Sequence, residues 1–400
     1  MSIDLSLSAN ATVAIVQAAT LQDSRAVIIG GSLGGLFMAA ALRAVGWEAE
    51  VYERSPSDLE SRGGGIVLQP DVVRAFEFAR VRTHGALGVR SHYDIYLNDN
   101  GSVVRQVHNP HTQTSWNKLY SALHRHHPAR DYNQGAELVG LEQSDSGVVA
   151  IFANGRRAEA DILIGADGSN STVRKLMLPE ATPSYAGYVV WRGLVDEARL
   201  PDAAKPHLYE NFVFQHDPES MMLQYMIPGR DGSVTKGQRR FNWLWYCKVA
   251  PGPELDAVLT DADGKRREHA VAPGALAATQ EQWFRRTGAD RVNPAFQALI
   301  EKTDDIFVQE IQDLQVSRMV FGRVLLTGDA AFIPRPHTAG STAKAACNAV
   351  ALAKALANGS NVLAARLAAW EQEQIAGGMR MTNWGIRMGN RIMGITHTHH

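Results

Sequence analysis

Short apolar runs ended by glycine, rather than long amphipathic stretches, punctuate this chain. The run Ala26-Val-Ile-Ile29 stops at Gly30, which predicts a buried strand and a sharp turn. Residues 36–43 are rich in good helix formers, so a helix follows, and residues 48–52 predict a second strand ending on Glu53. Residues 71–79 read as a helix, 93–97 and 102–107 as strands around the turn 98–101, and 116–123 as a short amphipathic helix. The hairpin of 148–152 and 158–160 turns at Asn154-Gly155 and runs into an apolar strand, 161–164. From Tyr185 to Ala250 helical sequence is scarce. Strands at 185–192, 211–215, 221–227 and 241–249 are joined by turns such as Pro228-Gly-Arg-Asp-Gly232, which predicts a second, mostly antiparallel sheet. Within it Phe241, Trp243, Trp245 and Cys247 share one face, and Asn242, Leu244 and Tyr246 the other. Both faces are therefore covered, and one has the makings of a pocket wall. Residues 251–297 are charged and loop-rich, with a helix around 276–286. A last apolar strand, 323–327, leads through a loop to the long helix 341–356; a helix at 363–374 and a Met-rich stretch at 379–393 then cover an exposed face.

Each apolar strand ends in polar or glycine-rich sequence. After the first comes Gly30-Gly-Ser-Leu-Gly-Gly35, with Glu53 a strand further on. Strand, glycine turn and helix can bring backbone N–H groups and a helix N-terminus to a pyrophosphate, and a carboxylate about 20 residues later suits a ribose hydroxyl. Ser32 stands where a second glycine usually permits close approach, so the site is altered rather than lost. The second strand ends in Gly165-Ala-Asp167-Gly168, followed by several hydroxyls. The last opens into Gly328-Asp329-Ala-Ala-Phe-Ile-Pro-Arg-Pro-His337-Thr-Ala-Gly340, a loop stiffened by two prolines and carrying an imidazole. The glycines at 63–65 suit either a flexible surface loop or a backbone that moves or lies against a ligand.

Composition narrows the field. Four hundred residues suggest two interlocked domains or one with an insertion, and a net charge of -1 argues against a nucleic-acid or membrane-surface partner. The uncharged run around the first turn is too short and too rich in glycine for a ~20-residue membrane span. Cys247 and Cys347 have neither metal nor redox spacing and read as plain thiols in a reducing cytoplasm. Residues 1–24 have no basic n-region and read as a mobile leader, and the imidazoles of the last five residues read as a frayed tail rather than a metal site.

The three junctions in this order, with a β-rich segment between the second and third, resemble the flavoprotein aromatic hydroxylases, the single-component FAD monooxygenases. The resemblance runs from about Arg25 to Leu356 and is nearest to the members acting on dihydroxypyridines. Shared text includes the serine in the glycine turn, Gly65-Ile-Val-Leu-Gln-Pro70, Tyr185-Ala-Gly-Tyr-Val-Val-Trp-Arg-Gly193 and Asp329-Ala-Ala-Phe-Ile-Pro-Arg-Pro-His337. It implies an α/β fold: a Rossmann-like FAD-binding domain (25–90, 110–180 and 315–358) with an inserted antiparallel substrate domain (91–109 and 181–314) and a C-terminal segment, 359–400. Carried over residue by residue, Gly30, Gly31, Ser32, Leu33 and Gly35 would meet the pyrophosphate, Glu53 the adenosine ribose and Asp329 the ribityl chain. Arg54, Gln69, Leu138, Asp167, Ala339, Gly340 and Ser341 would complete the cofactor site, the last two near the isoalloxazine. Many relatives have histidine at Phe332, a further glycine at Ser341 and arginine at Trp116; these departures read as subgroup features.

The resemblance implies reduction of FAD by NADH or NADPH, capture of O2 as a flavin C4a-hydroperoxide, and hydroxylation of an electron-rich ring. A hydroxypyridine is the first expectation and a phenolic acid the second. His337 is the expected base, Pro336 would shape the backbone beside it, and Tyr225 and Arg335 are candidates for recognising a ring hydroxyl or carboxylate. No metal is expected, and a homodimer is left open. A flavin halogenase would carry Trp-x-Trp-x-Ile-Pro, whereas Trp243-Leu-Trp245 continues Tyr246-Cys247. An NAD dehydrogenase would not need Asp329 in a third junction, and a non-catalytic FAD-binding protein stays open.

Overall fold

The apolar run at 26–29 lies at the middle of a six-stranded sheet. In a computed structural model describing residues 24–59, 64–357 and 362–396, its order is Val320–Phe321, Val324–Leu326, Ile162–Gly165, Arg25–Ile29, Glu48–Tyr52 and Tyr132–Asn133. All neighbours run parallel except the first pair. Ile29 sits opposite both Tyr52 and Gly165, and Gly165 opposite Leu326, so the three polar strand ends emerge side by side. That is the edge where open α/β sheets bind ligands.

The helix after the glycine turn spans Leu33–Ala44, three residues earlier than its helix formers suggest. It begins there because glycine lets it: a Cβ on Gly35 would overlap the carbonyl oxygen of Gly30. Gly30 itself has φ +106°, which a side chain would strain. Helices Pro70–Phe78 and Ser341–Ala357 pack with it, and a three-stranded sheet, Leu138–Gln143, Val148–Phe152 and Arg157–Ala160, lies against the central strands.

The second sheet has ten strands and is mostly antiparallel; its main path runs Ala270–Val271, Phe307–Gln315, Ser184–Asp196, Arg240–Lys248, Ser220–Ile227, Phe212–Asp217, Val89–Leu97, Val103–Ser115 and Gly65–Val67. Alternation divides its faces as the sequence suggests. Trp191, Trp243 and Trp245 gather around Phe284 of helix Ala278–Arg291, with ring centroids 4.5, 6.1 and 5.3 Å away. Truncating one such buried tryptophan typically costs about 3–5 kcal/mol. The opposite face presents Val190, Arg192, Tyr225, Leu244 and Tyr246 to a cavity.

Four elements differ from expectation. Residues 363–374 and 379–393 belong to one helix, Leu363–Ile392. Gly378 does not break it, because that glycine lets the helix lie on Phe332, whose ring atoms a Cβ would approach to 2.5 Å. Helix Pro294–Glu301 and strand Phe307–Gln315 were not anticipated, nor was strand Leu138–Gln143. The leader at 1–23, Ser61 to Gly63 of the glycine loop and the tail imidazoles at 397–400 lie outside the described residues.

Candidate active site

The three strand ends enclose a cavity of about 480 Å³. Gly30, Ser32, Leu33, Glu53, Arg54, Leu138, Asp167, Asp329 and Ser341 all line it, so residues spread over most of the sequence converge there. Glu53 is buried, and its carboxylate accepts the Gly31 and Ser55 backbone N–H groups, each at 2.8 Å. This ties the acid to the glycine turn and leaves acceptor capacity on both oxygens. Ser32 is the N-cap of helix Leu33–Ala44 without a side-chain cap bond. Asp167 accepts from Ser171 Oγ (2.5 Å) and from the N–H groups of Thr172 and Val173, capping helix Thr172–Met177 from the cavity wall. Burial raises its pKa, with those hydrogen bonds opposing.

Asp329 accepts from Ser341 Oγ at 2.7 Å and from Lys344 Nζ at 3.1 Å. Lys344 is buried and also donates to the Phe332 carbonyl; burial lowers its pKa, with Asp329 opposing. Trp116 lines the same cavity, stacked on Tyr120 at 4.6 Å.

A second cavity, about 460 Å³, lies over the face of the ten-stranded sheet opposite the tryptophans. Ser341 and Thr342 line both cavities, so the start of helix Ser341–Ala357 is their shared wall. Ala339, Gly340, Pro336, His337 and Tyr225 line the second, while Gly31, Gly35 and Gln69 line neither. Gln69 is half-buried ahead of helix Pro70–Phe78. Asn242 Oδ1 accepts the Gly65 N–H at 3.0 Å, and a Cβ there would come 2.5 Å from the Tyr225 ring, so glycine is needed for the loop to close over the chamber.

His337 Nε2 is 2.9 Å from Tyr188 Oη, and its Nδ1 is buried without a partner. Burial, then the charge of Arg335 and nearby His216, pushes its pKa down to about 3, so the ring is neutral at physiological pH. Tyr225 is pushed up to about 12 by burial, with Arg192 and the neighbouring Asn242 side chain opposing. Arg335, a sequence candidate for substrate recognition, is buried and committed: Nε and Nη2 donate to Asp313 at 2.8 and 2.6 Å, and Nη1 to Asn390 at 2.8 Å. Arg192, which sequence reasoning passed over, lines the chamber beside Tyr225 and Tyr246. Its one signal was a charge within the apolar strand text Val189-Val-Trp-Arg192.

Comparison with known proteins decides the family. The family described as FAD binding domain-like matches residues 185–313. The chain is 35% identical over 369 residues to 2,6-dihydroxypyridine 3-monooxygenase of Paenarthrobacter nicotinovorans, covering 92% of this chain and 91% of the other. It belongs to the FAD-dependent aromatic hydroxylases. The solved 2,6-dihydroxypyridine-3-hydroxylase from Arthrobacter nicotinovorans superposes on this hydroxylase with a TM-score of 0.87 at 34% identity, covering 94% of each chain. The 6-hydroxynicotinate 3-monooxygenase of Pseudomonas fluorescens is 26% identical over 84% of this chain and 83% of its own.

The hydroxylase's own residues fit FAD. The turn offers backbone N–H groups at a helix start, the Gly30–Gly35 contact excludes a side chain, and acids stand at each strand end. No helix among the described residues is long and apolar enough to cross a membrane, and no His, Cys, Asp or Glu group among them is arranged to hold a metal.

Proposed function

We propose that this hydroxylase adds a hydroxyl to an electron-rich, already hydroxylated pyridine ring, taking oxygen from O2 and electrons from NADH or NADPH. The observation that carries the reading is the meeting at Ser341 and Thr342 of the cavity at the three strand ends and an aromatic chamber whose Arg192 pairs with no described residue. Likeness over nearly the whole chain to a 2,6-dihydroxypyridine 3-monooxygenase supports it. Bound and reduced FAD supplies the activation of O2. The chain's residues bind, orient and shield.

In this reading Gly30, Ser32 and Leu33 hold the pyrophosphate, with Gly31 and Gly35 shaping the turn behind them; Glu53 holds the adenosine ribose and Asp329 the ribityl chain, with Arg54, Leu138 and Asp167 completing the cavity. Lys344 and Ser341 fix the Asp329 carboxylate. Pro336 sets the backbone ahead of His337 in the turn Pro336–Thr338. Tyr225 and His337 orient ring hydroxyls. An imidazole with a pKa near 3 is a weak base, so His337 serves by hydrogen bonding, anchored through Tyr188, more than by removing a proton. The chamber's aromatic walls exclude water from the reacting ring. The division into FAD-binding and ring-binding parts given above is part of the proposal.

A phenolic acid is the second reading, because Arg192 would also accept a carboxylate. The test is the purified protein's flavin spectrum, followed by NADH and NADPH oxidation against hydroxypyridines and phenols with peroxide measured. Stimulation by a hydroxypyridine with a hydroxylated product supports the proposal. Stimulation by phenolic acids alone transfers it to the second reading, and a yellow protein with no turnover leaves an FAD-binding protein.

A further inference from the structure

The second cavity has a feature its proposed role does not explain. Its lining includes two arginines, Arg192 and Arg335, and no carboxylate. Arg335 is neutralised by both oxygens of Asp313. Arg192 makes no hydrogen bond or ion pair with any described residue, and its Nε is buried without a partner. Its one marked contact is the Phe307 ring, 5.6 Å away. Glycine at 64 gives it room, since a Cβ there would come 2.7 Å from Nη2.

The other ionisable groups around this chamber do not balance it. Tyr225 and Tyr246 are held protonated by burial, with the Arg192 charge working against that shift. Burial raises Tyr188 as well. His216 and His337 are held neutral, burial being the main cause for each. Glu310, on the strand that supplies Phe307 and Gln309, is bonded to His269 and Gln312 and does not line the cavity. A partly desolvated cation without a counter-ion is costly, and such charges are normally paired. No described residue supplies the counter-ion, and an anionic ligand entering the cavity would do so.

The guanidinium fork narrows which anion. It presents parallel N–H donors suited to two adjacent acceptors in one plane. A deprotonated 2-hydroxypyridine offers such an edge, with ring nitrogen and exocyclic oxygen side by side sharing the negative charge. A simple phenolate offers one oxygen. We infer that Arg192 is the specificity-determining residue of this hydroxylase, and that it selects the ring as its monoanion by pairing with the adjacent nitrogen and oxygen of a 2-hydroxypyridine. This rests on the pyridine reading above. It also means that the ring loses its proton to solvent before binding, with no demand on His337.

Binding to the FAD-loaded protein, read from the flavin absorbance change without NADH, tests this with three probes. They are 2,6-dihydroxypyridine, its carbocyclic counterpart 1,3-dihydroxybenzene, and 2,6-dimethoxypyridine, which has no ionisable hydroxyl. Dihydroxypyridine affinity should rise about tenfold per pH unit up to the ring's first ionisation and then level off. It should exceed that of the other two by about 30-fold or more, the scale expected when a charged hydrogen-bonded partner is lost. Arg192→Gln should flatten the pH dependence and bring the three probes within about threefold of one another. Arg192→Lys should keep the pH dependence and only part of the preference over the two neutral probes, since it keeps charge without the fork. If Arg192→Gln does not retain FAD, the wild-type and lysine profiles decide alone. Equal affinity for the pyridine and the benzene, or a preference that survives Arg192→Gln, overturns the inference. The expected binding pattern without stimulated NADH oxidation supports the inference and removes only the hydroxylase reading; hydroxylation without dependence on Arg192 does the reverse.

Discussion

Tyr188 Oη sits 2.9 Å from His337 Nε2, joining a strand of the ten-stranded sheet to the loop between the two cavities. Arg335 backs this pair, its guanidinium 5.4 Å from the centre of the Tyr188 ring. Replacing Tyr188 by Phe keeps the packing and removes one hydrogen bond to a neutral imidazole. Such a bond is worth roughly 0.5–1.5 kcal/mol, so Tyr188→Phe should lower kcat about threefold to tenfold while FAD content stays unchanged. Steady-state kinetics on variants matched for flavin absorbance checks this.

The depressed pKa of His337 has a consequence for stability. Between about pH 6.5 and about 3 the unfolded chain binds a proton that the folded imidazole refuses. Stability from this site is therefore greatest above the unfolded pKa and falls as the solution is acidified, by at most ~1.4 kcal/mol per pH unit. His337→Gln should flatten the acid limb of a plot of Tm against pH between those values and leave the neutral region with less change.

Glu197 and Arg239 form a site that stays charged where His337 stays neutral. Both are buried, and Arg239 donates to Glu197 through Nε at 2.9 Å and Nη2 at 3.0 Å. Burial works to raise the carboxyl pKa, but Arg239 and the Gly237 N–H outweigh it and hold the group at about 2. This stability is present above about pH 4.5 and lost as pH falls toward 2. Glu197→Gln leaves the guanidinium short of a charge partner, with Glu210 as its remaining acid, and should cost about 3 kcal/mol in denaturant unfolding at neutral pH.

Gly389, on helix Leu363–Ile392, lies where a Cβ would come 2.6 Å from Tyr188 Oη and 2.8 Å from Arg335 Nη1. Alanine there must push the helix off the Tyr188–Arg335 pair. Gly389→Ala should lower kcat at least tenfold while FAD remains bound, since that face of the helix does not touch the first cavity. Loss of FAD at an equal rate would show the two cavities to be mechanically one.

The parts of this architecture that depend on near neighbours in sequence were legible. The strand ends at Gly165 and Gly328 are each an apolar run, a glycine and an acid within a few residues, the first is an apolar run and a glycine turn with Glu53 ending the next strand, and Glu53, Asp167 and Asp329 do line one cavity. Alternation at 241–247 likewise separated the tryptophan face from the pocket face. What stayed hidden depends on register between distant strands. Arg192 faces the chamber because it pairs with Leu244 and with Phe307, and Tyr225 pairs with Asn242; none of this is local. Strand Phe307–Gln315 was missed because its text, Phe-Val-Gln-Glu-Ile-Gln-Asp-Leu-Gln, is rich in polar residues that meet partners from other elements. Gly378 reads locally as a helix end, and only Phe332, far away in sequence, explains it as a packing site.

Lys344 supports Asp329 from within the protein. Lys344→Met should weaken FAD binding about tenfold by freeing the carboxylate to rotate, while Tm of the FAD-free protein changes by only a few degrees because a costly buried charge is removed with it. Flavin titration of the stripped protein measures the first quantity and a thermal melt the second.

In the proposed function, oxygen from O2 reaches a hydroxypyridine at the junction of the two cavities. The most direct measurement is turnover of the yellow protein with NADH, 2,6-dihydroxypyridine and isotopically labelled O2, with mass analysis of the product. A ring carrying one new, labelled hydroxyl is the expected result. Label found only in peroxide or water, with the ring unchanged, would contradict it.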